Sequence, residues 1–448
     1  MAAMSRRRAR EDRQAADQPA LETEVASLSH EGRGIAQIDG KITFIDFALP
    51  GERVAIRHTR RRGRFDEARV ETVITPSPDR VDPPCPHFGV CGGCSLQHLA
   101  PAAQIAHKQS VLLEHLAHIG KAAPERVLEP LTSATRGYRR RARLSARYVP
   151  GKGGVVVGFR ERSTPYVAAL ESCDILPPAL GALIRPLREL VTALSIRTRV
   201  PQVEVTATDE AIALVLRHLL PLSAGDEALL ASFARAHGVD LYLQPGGNDS
   251  VHAFGSAAPR PLRYALPAHG VEIEFGPLDF TQINFEINRA MVDRVVDLLA
   301  PRTTDTVLDL FCGVGNFSLP LARRAGRVIG VEGEARLVER ARANAVRNGI
   351  GNAEFTAGDL GGMPRALRTA GAGKWLLDPP RSGAEALLRE ADLAGVGRLV
   401  YVSCNPATLA RDAGILVNER GLRLVAAGVM DMFPHTAHVE SIALFEPR

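Results

Sequence analysis

The sequence predicts a multidomain protein: a small all-β domain, a central α+β segment carrying a cysteine cluster, and a C-terminal α/β domain on a parallel sheet. Three features carry that reading. Short alternating apolar runs between Glu22 and Thr75 are punctuated by Gly32, Gly34, Gly40 and Pro50-Gly51. Cys85, Cys91 and Cys94 crowd one Gly-rich loop. From about Gly276 onward, short apolar runs alternate with helical patterns, as in a doubly wound sheet. A chain of 448 residues exceeds one ordinary domain, and 45% apolar with 23% charged residues marks it as globular.

Each segment follows from its local pattern. Residues 1–20 are polar and rich in Arg, Ala and Gln, and read as a disordered basic tail. Residues 21–75 hold alternating runs at Ile35–Ile38, Ile42–Phe47, Arg53–His58 and Ala68–Ile74, which predict a small antiparallel β-barrel. Pro76, Pro78, Pro83 and Pro84 mark a linker. Residues 76–275 form the central domain, with helical patterning over Pro101–Ile119 and Leu180–Leu194 and strand signals at Val155–Phe159 and Val203–Ala207. Residues 276–448 form the last domain, with strands expected at Thr306–Leu310, Arg327–Val331, Lys374–Leu377 and Arg398–Ser403 and a helix over Ala335–Asn348.

Net charge is +5, concentrated in clusters: Arg6, Arg7, Arg8 and Arg10; Arg60, Arg61, Arg62 and Arg64; Arg139, Arg140, Arg141 and Arg143. Clustered arginines suggest a polyanionic partner, although each cluster alone equally suits a solvated face. No stretch reaches the 18 or more apolar residues of a membrane span, and Met1–Arg10 has charge with no apolar core behind it. A cytoplasmic, monomeric protein is expected, whose six cysteines serve metal ligation or catalysis rather than disulfides.

In the last domain the strand ending at Leu310 runs into Phe311-Cys312-Gly313-Val314-Gly315-Asn316. A Gly-rich turn there lets backbone approach a ligand, and Glu332, ending the next strand, can accept from two ribose hydroxyls. The single G-x-G excludes a full dinucleotide fingerprint or a phosphate loop. Asp359 could accept from an adenine amino group, so the parts suit S-adenosylmethionine better than NAD. Asp378-Pro379-Pro380 fixes an acid at another strand end. Cys404 stands between a buried strand and a helix start, where the helix N-terminus should favour the thiolate. Cys312 reads as structural. Glu440, His435 and His438 are candidate acid–base groups before the last strand. Cys85, Cys91 and Cys94, spaced C-x5-C-x2-C, with the remote Cys173 suit a [4Fe–4S] cluster better than zinc, which usually takes two short pairs.

Together these residues resemble the RNA uracil-C5 methyltransferase family, specifically its iron–sulfur branch that makes 5-methyluridine in 23S rRNA. The resemblance spans nearly the whole chain after residue 20. It implies an OB-like TRAM barrel over 21–75, a central domain with the iron–sulfur cluster, and a Rossmann-like class I methyltransferase domain. It implies Cys85, Cys91, Cys94 and Cys173 as cluster ligands, and Gln282 (in Phe280-Thr281-Gln282-Ile283-Asn284), Phe311, Asn316, Glu332, Asp359 and Asp378 as cofactor residues. Cys404, in Ser403-Cys404-Asn405-Pro406, falls on the nucleophile and Glu440 on the base. At Asp359 the family more often has asparagine. The implied chemistry is addition of a thiolate to C6 of uracil, methylation of the resulting C5 enolate, and removal of the C5 proton. The base must be unstacked to be reached. Alternatives are a transfer-RNA 5-methyluridine enzyme, a group expected to lack the barrel and cluster, and a non-catalytic RNA-binding or assembly factor. A 5-methylcytidine enzyme would carry a second cysteine where Pro380 stands.

Overall fold

The computed structural model describes residues 20–361 and 371–448. The basic tail expected over 1–20 lies outside the described residues, except for Ala20. The chain divides into two compact units: one runs to Lys108 and includes Pro434–His438, and the other holds Gln109–Phe433 and Val439–Arg448.

In the first unit, Gly34–Ile38, Lys41–Asp46, Arg53–Arg61 and Phe65–Thr75 are the main strands of a six-stranded sheet. The leading segment pairs through Leu21–Glu24 with Arg53–Ile56 and through Ser27–Leu28 with Gly34–Ile35, so the sheet closes on itself. Inside, the small Ala36, Ala48 and Ala68 alternate with the larger Val25, Ile45, Val54 and Ile56 to fill the closed core. At Gly34 a Cβ would lie 2.7 Å from the Ala48 Cβ. One feature departs from the expected antiparallel pattern. Lys41–Asp46 runs parallel to Phe65–Thr75, because closing the barrel needs one long crossover rather than a chain of hairpins.

The barrel is tied to the segment that follows by a buried ion pair. The fully buried Glu52 accepts from the amides of Leu49 (2.8 Å) and Ser77 (3.2 Å) and from Arg80, whose Nη2 lies 2.7 Å away. Arg80 also donates to the Phe47 carbonyl at 2.7 Å. Phe47 is left-handed (φ 68°), and its ring packs edge-on against Phe88 and His98.

The second unit contains an eight-stranded sheet in the order Ala353–Ala357, Arg327–Glu332, Thr306–Leu310, Lys374–Leu377, Arg398–Ser403, Glu440–Pro447, Leu422–Met430, Arg126–Val127. The first five run parallel. Glu440–Pro447 then inserts antiparallel between its neighbours. The central parallel strands are mostly apolar and buried, as expected where both faces are covered, whereas the edge strand Ala353–Ala357 is largely exposed. A separate six-stranded sheet includes Arg141–Val149, Gly154–Gly158, Gln202–Ala207, Ile212–Arg217 and Asp240–Gln244. The hairpin Leu262–Leu266/Val271–Phe275 buries Tyr264, Ile273 and Phe275 in the same core as Val307, Val328, Leu376 and Val400. The helical pattern expected over Leu180–Leu194 resolves into two helices, Pro178–Gly181 and Ile184–Ala193.

Glu52 sets a stability prediction. Burial alone would raise its carboxyl pKa, but the Arg80 bond and the two amides outweigh burial and hold it below the ordinary value. Its contribution is therefore present above the unfolded-state carboxyl pKa and lost as pH falls through the lower folded value. Glu52→Ala should lower stability by about 3–5 kcal/mol, because it strands Arg80. Chemical denaturation and limited proteolysis of the full chain measure this. A change within error would show that the pair is dispensable.

Candidate active site

The functional side chains of the second unit hang from the carboxyl ends of its parallel strands. The chain leaves Leu310 through Phe311, which adopts a left-handed conformation (φ 67°). Such backbone strain in an aromatic residue costs about 1–3 kcal/mol and concentrates at ligand sites. The amides of Phe311 (2.9 Å) and Cys312 (3.1 Å) both bond the Val331 carbonyl, locking the Gly-rich turn to the next strand. Gly330 is obligatory beneath it, since a Cβ there would meet the Phe355 ring at 2.6 Å and the Cys312 Sγ at 3.0 Å. Cys312 is buried, and burial pushes its thiol well up, in keeping with a structural role.

Glu332 ends the neighbouring strand. Its carboxylate accepts from Gly313 N–H (3.0 Å) on one oxygen and Glu334 N–H (3.1 Å) on the other, which fixes its plane and leaves lone pairs for a diol. Glu332, Phe311 and Asp359 line one cleft of about 550 Å³, whose far wall is Pro380, Ser382–Leu387 and Arg411. The structure thus assembles three of the six expected cofactor residues around one volume. Gln282 precedes the helix Phe285–Leu299, which Asn284 caps by accepting from Ile287 N–H at 3.2 Å. Asn316 behaves differently: its carboxamide exchanges two hydrogen bonds with Asn288 (2.9 and 3.0 Å) and accepts from the Tyr264 hydroxyl at 2.8 Å. It braces the turn with every one of those bonds.

The rim is acidic. Burial pushes the Asp378 carboxyl up to about 7. Asp309, fully buried and bonded by the Ser318 hydroxyl, is likewise raised to about 7 by burial and by the nearby Asp378 and Glu332 charges. Carboxyl groups held in this state are relieved by a cationic ligand. In the cleft itself, the diol-ready Glu332 suits the ribose of a nucleoside.

Cys404 lies just past the end of Arg398–Ser403, before the helix Pro406–Asn418 that Asn405 caps. Burial first, then the Glu440 and Asp378 charges, raise the thiol above its ordinary value. Arg381 opposes them through its charge and a hydrogen bond to the thiol. Sequence reasoning missed Arg381: an arginine after Pro379-Pro380 has no signature of its own. The structure fixes it, because its carbonyl accepts from Asn405 Nδ2 (3.1 Å) and Thr408 Oγ1 (3.3 Å) at the start of the helix that follows Cys404. Glu440 is buried at the first residue of the antiparallel strand, near enough to Cys404 to raise its pKa.

His435 is braced by residues of its own unit. It lies in the first unit in a left-handed conformation, with its amide donating to Gln104 Oε1 (2.8 Å) and its Nδ1 3.3 Å from Gln104 Nε2. Its carbonyl accepts from Ser95 and Leu96. His438 is exposed.

Cys85, Cys91 and Cys94 occupy one loop of the first unit; Cys173 belongs to the second. Cys85 N–H donates to Gln97 Oε1 (3.2 Å), and Gly93 N–H donates to the Cys91 Sγ at 3.4 Å, the contact that stabilises an anionic sulfur. Among the described residues no three metal-ligating side chains are assembled as a metal site. No described helix is long and apolar enough to cross a membrane.

Comparison with known proteins places this geometry. A family model described as tRNA (Uracil-5-)-methyltransferase matches residues 268–360 and 365–448. A second, tRNA (uracil(54)-C(5))-methyltransferase, TRAM domain, matches 21–78. The chain is 55% identical to the 23S rRNA (uracil(1939)-C(5))-methyltransferase RlmD of Alkalilimnicola ehrlichii, over 99% of both chains. It is 52% identical to the protein of that name from Bordetella parapertussis, over 94% of this chain and 92% of the relative. The crystal structure of the Pyrococcus abyssi tRNA (uracil-54, C5)-methyltransferase with S-adenosyl-L-homocysteine superposes with a TM-score of 0.73 at 24% identity, over 95% and 99% of the two chains. A tRNA enzyme therefore shares this architecture, and the TRAM model is itself named for one, so the barrel does not separate rRNA from tRNA enzymes as the sequence reading supposed. Identity above half along the full length decides the family: the chain belongs to the S-adenosylmethionine-dependent RNA uracil-C5 methyltransferases.

Proposed function

We propose that this enzyme methylates C5 of one uridine in 23S rRNA, the uracil that its relatives' names number 1939, through a covalent adduct at C6. The observation that carries the substrate is the full-length similarity to 23S rRNA enzymes. What supports the mechanism is the grouping of Cys404, Arg381, Asp378 and Glu440. Division into a barrel (21–75), a central domain (76–275) and a catalytic domain (276–448) is part of the same reading. Sequencing 5-methyluridine in ribosomal and transfer RNA from a deletion strain tests the substrate: loss from 23S rRNA alone is expected, and loss from tRNA alone would overturn it.

S-adenosylmethionine, when bound, supplies an electrophilic methyl group. Glu332 would hold its ribose hydroxyls, Asp359 its adenine and Asp378 its positive charge, with Gln282 and Phe311 beside it and Asn316 bracing the turn. Cys404 adds to C6 of the flipped uracil, which places negative charge on C5 and O4. Arg381 stabilises the attacking thiolate. C5 takes the methyl group, Glu440 then removes the C5 proton, and the electron pair left on C5 expels Cys404 from C6.

The four cysteines Cys85, Cys91, Cys94 and Cys173 fit a [4Fe–4S] cluster by their all-thiol donor set and the amide aimed at Cys91. Anaerobically purified protein should carry about four iron and four sulfide per chain. Stoichiometric zinc without sulfide would replace the cluster with a zinc site.

The two catalytic groups should fail differently. Cys404→Ala should bind RNA yet form neither adduct nor methylated base. Glu440→Gln should still add to C6 and then stall, leaving a protein–RNA band that survives SDS. Normal turnover by Glu440→Gln would remove it as the base, and a retained band with Cys404→Ala would remove the nucleophile.

Because the resting thiol is raised, the single-turnover rate should climb with pH above neutrality. Arg381→Ala removes a group that lowers this pKa, so its profile should move to higher pH. The rate at pH 7 should fall about tenfold for each unit of displacement. An Arg381→Ala profile superimposable on the parent would deny Arg381 this role.

A further inference from the structure

The arginine run at 139–143 is not used by the catalytic rim, and the structure divides it. Arg139 lies over the Phe159 ring at 5.5 Å, and Arg140 pairs with Asp209 at 3.0 Å. Arg141 and Arg143 share one face of Arg141–Val149 and both reach Glu204 on the neighbouring strand. The register opposes Arg143 to Glu204 and Ser145 to Gln202, then Gln202 to Arg217, and sets Arg217 beside Gln244. Side chains of paired residues leave the same face. Ser145, Gln202, Arg217 and Gln244 therefore form one polar row across four strands, with Arg143 and Arg147 two residues to either side along the first.

Glu204 orients this face. Only 5% exposed, it accepts from Arg143 Nε (3.1 Å) and Nη2 (2.9 Å), from Arg141 Nη2 (3.3 Å) and from Gln202 Nε2 (3.0 Å). The Arg143 side chain stays 68% exposed, so a fixed guanidinium faces solvent. Arg147 is exposed and Arg217 half-buried, and among the described residues neither has an acidic partner. Like charges ranged on one sheet face repel. That repulsion is relieved by a chain offering anionic oxygens at short intervals. Single-stranded RNA has phosphates in that arrangement, with 2′-hydroxyls and exocyclic amines beside them.

We propose that this sheet face docks a single-stranded segment of the RNA substrate, with Arg143, Arg147 and Arg217 on its phosphates and Gln202 on a ribose or base group. This rests on the reading of the chain as an rRNA enzyme and assigns the surface. The test uses the full chain and a fluorescein-labelled 23S rRNA fragment spanning the methylated uridine, with binding measured against salt. Arg147→Ala/Arg217→Ala removes two phosphate contacts without stranding Glu204. The slope of log affinity on log salt should shrink by roughly 1.5, and KM should rise several-fold while kcat and melting temperature hold. Arg147→Lys/Arg217→Lys should restore the slope. An unchanged slope and KM, or a fall in kcat and melting temperature alone, would overturn the docking surface. Failure of the unsubstituted enzyme to bind or methylate this fragment would instead overturn the rRNA reading.

Discussion

The catalytic rim depends on a tie between two neighbouring strand ends. The Arg381 carbonyl receives Asn405 and Thr408, so the turn after Lys374–Leu377 cannot move without the helix that follows Cys404. Parallel register, with Leu377 beside Tyr401, brings Asp378 and Cys404 to the same rim. A second tie lies below: the fully buried Asp412 accepts from the Ala384 amide (2.7 Å) and the Tyr401 hydroxyl (2.6 Å). Ser382–Leu387 forms a wall of the nucleoside cleft. One short segment is thus held twice, and it serves both the cleft and the nucleophile.

That arrangement explains an otherwise unfavourable electrostatic design. A nucleophilic thiol gains from neighbouring cations, yet Cys404 faces Glu440 and Asp378, with Arg381 as its counterweight. In the proposed mechanism each acid has a role that needs its position: Asp378 stands at the acidic rim, and Glu440 reaches the uracil that Cys404 attacks. The raised thiol follows from placing three roles within one small volume. It also protects the cysteine, because a thiol oxidises less readily than a thiolate.

Much of this was legible in the sequence, for identifiable reasons. Buried parallel strands are uninterrupted apolar runs, so Thr306–Leu310, Lys374–Leu377 and Arg398–Ser403 fall where their composition puts them. Glycines at positive φ (Gly313 and Gly315) and an acid at a strand end mark the cleft. Strand direction was legible only where helices alternate with strands; the parallel pair in the barrel and the antiparallel insertion of Glu440–Pro447 appear only in the fold. Asn316 shows a second limit. Its neighbour Asn288 lies on a helix that no local pattern links to the Gly-rich turn, so its bracing bonds could not be foreseen. The thiol pKa shows a third, because it is set by groups at positions 378, 381 and 440 that only the sheet brings together.

Charge clusters carry the same lesson in another form. Counting arginines cannot separate a braced cluster from a binding surface; what separates them is whether an acid stands opposite on the next strand. In the barrel, Glu67 lies in register with Arg60 and pairs with both Arg60 (3.8 Å) and Arg62 (3.1 Å). In the central sheet Glu204 does the same for Arg141 and Arg143. Each acid cancels part of the local charge and at the same time points the remaining guanidinium edges outward. Preorganised arginines lose less side-chain freedom when they meet a phosphate than free ones do. An acidic residue inside a basic patch can therefore strengthen recognition of a polyanion, provided that it is buried beneath the arginines rather than exposed beside them, and Glu204 meets that condition.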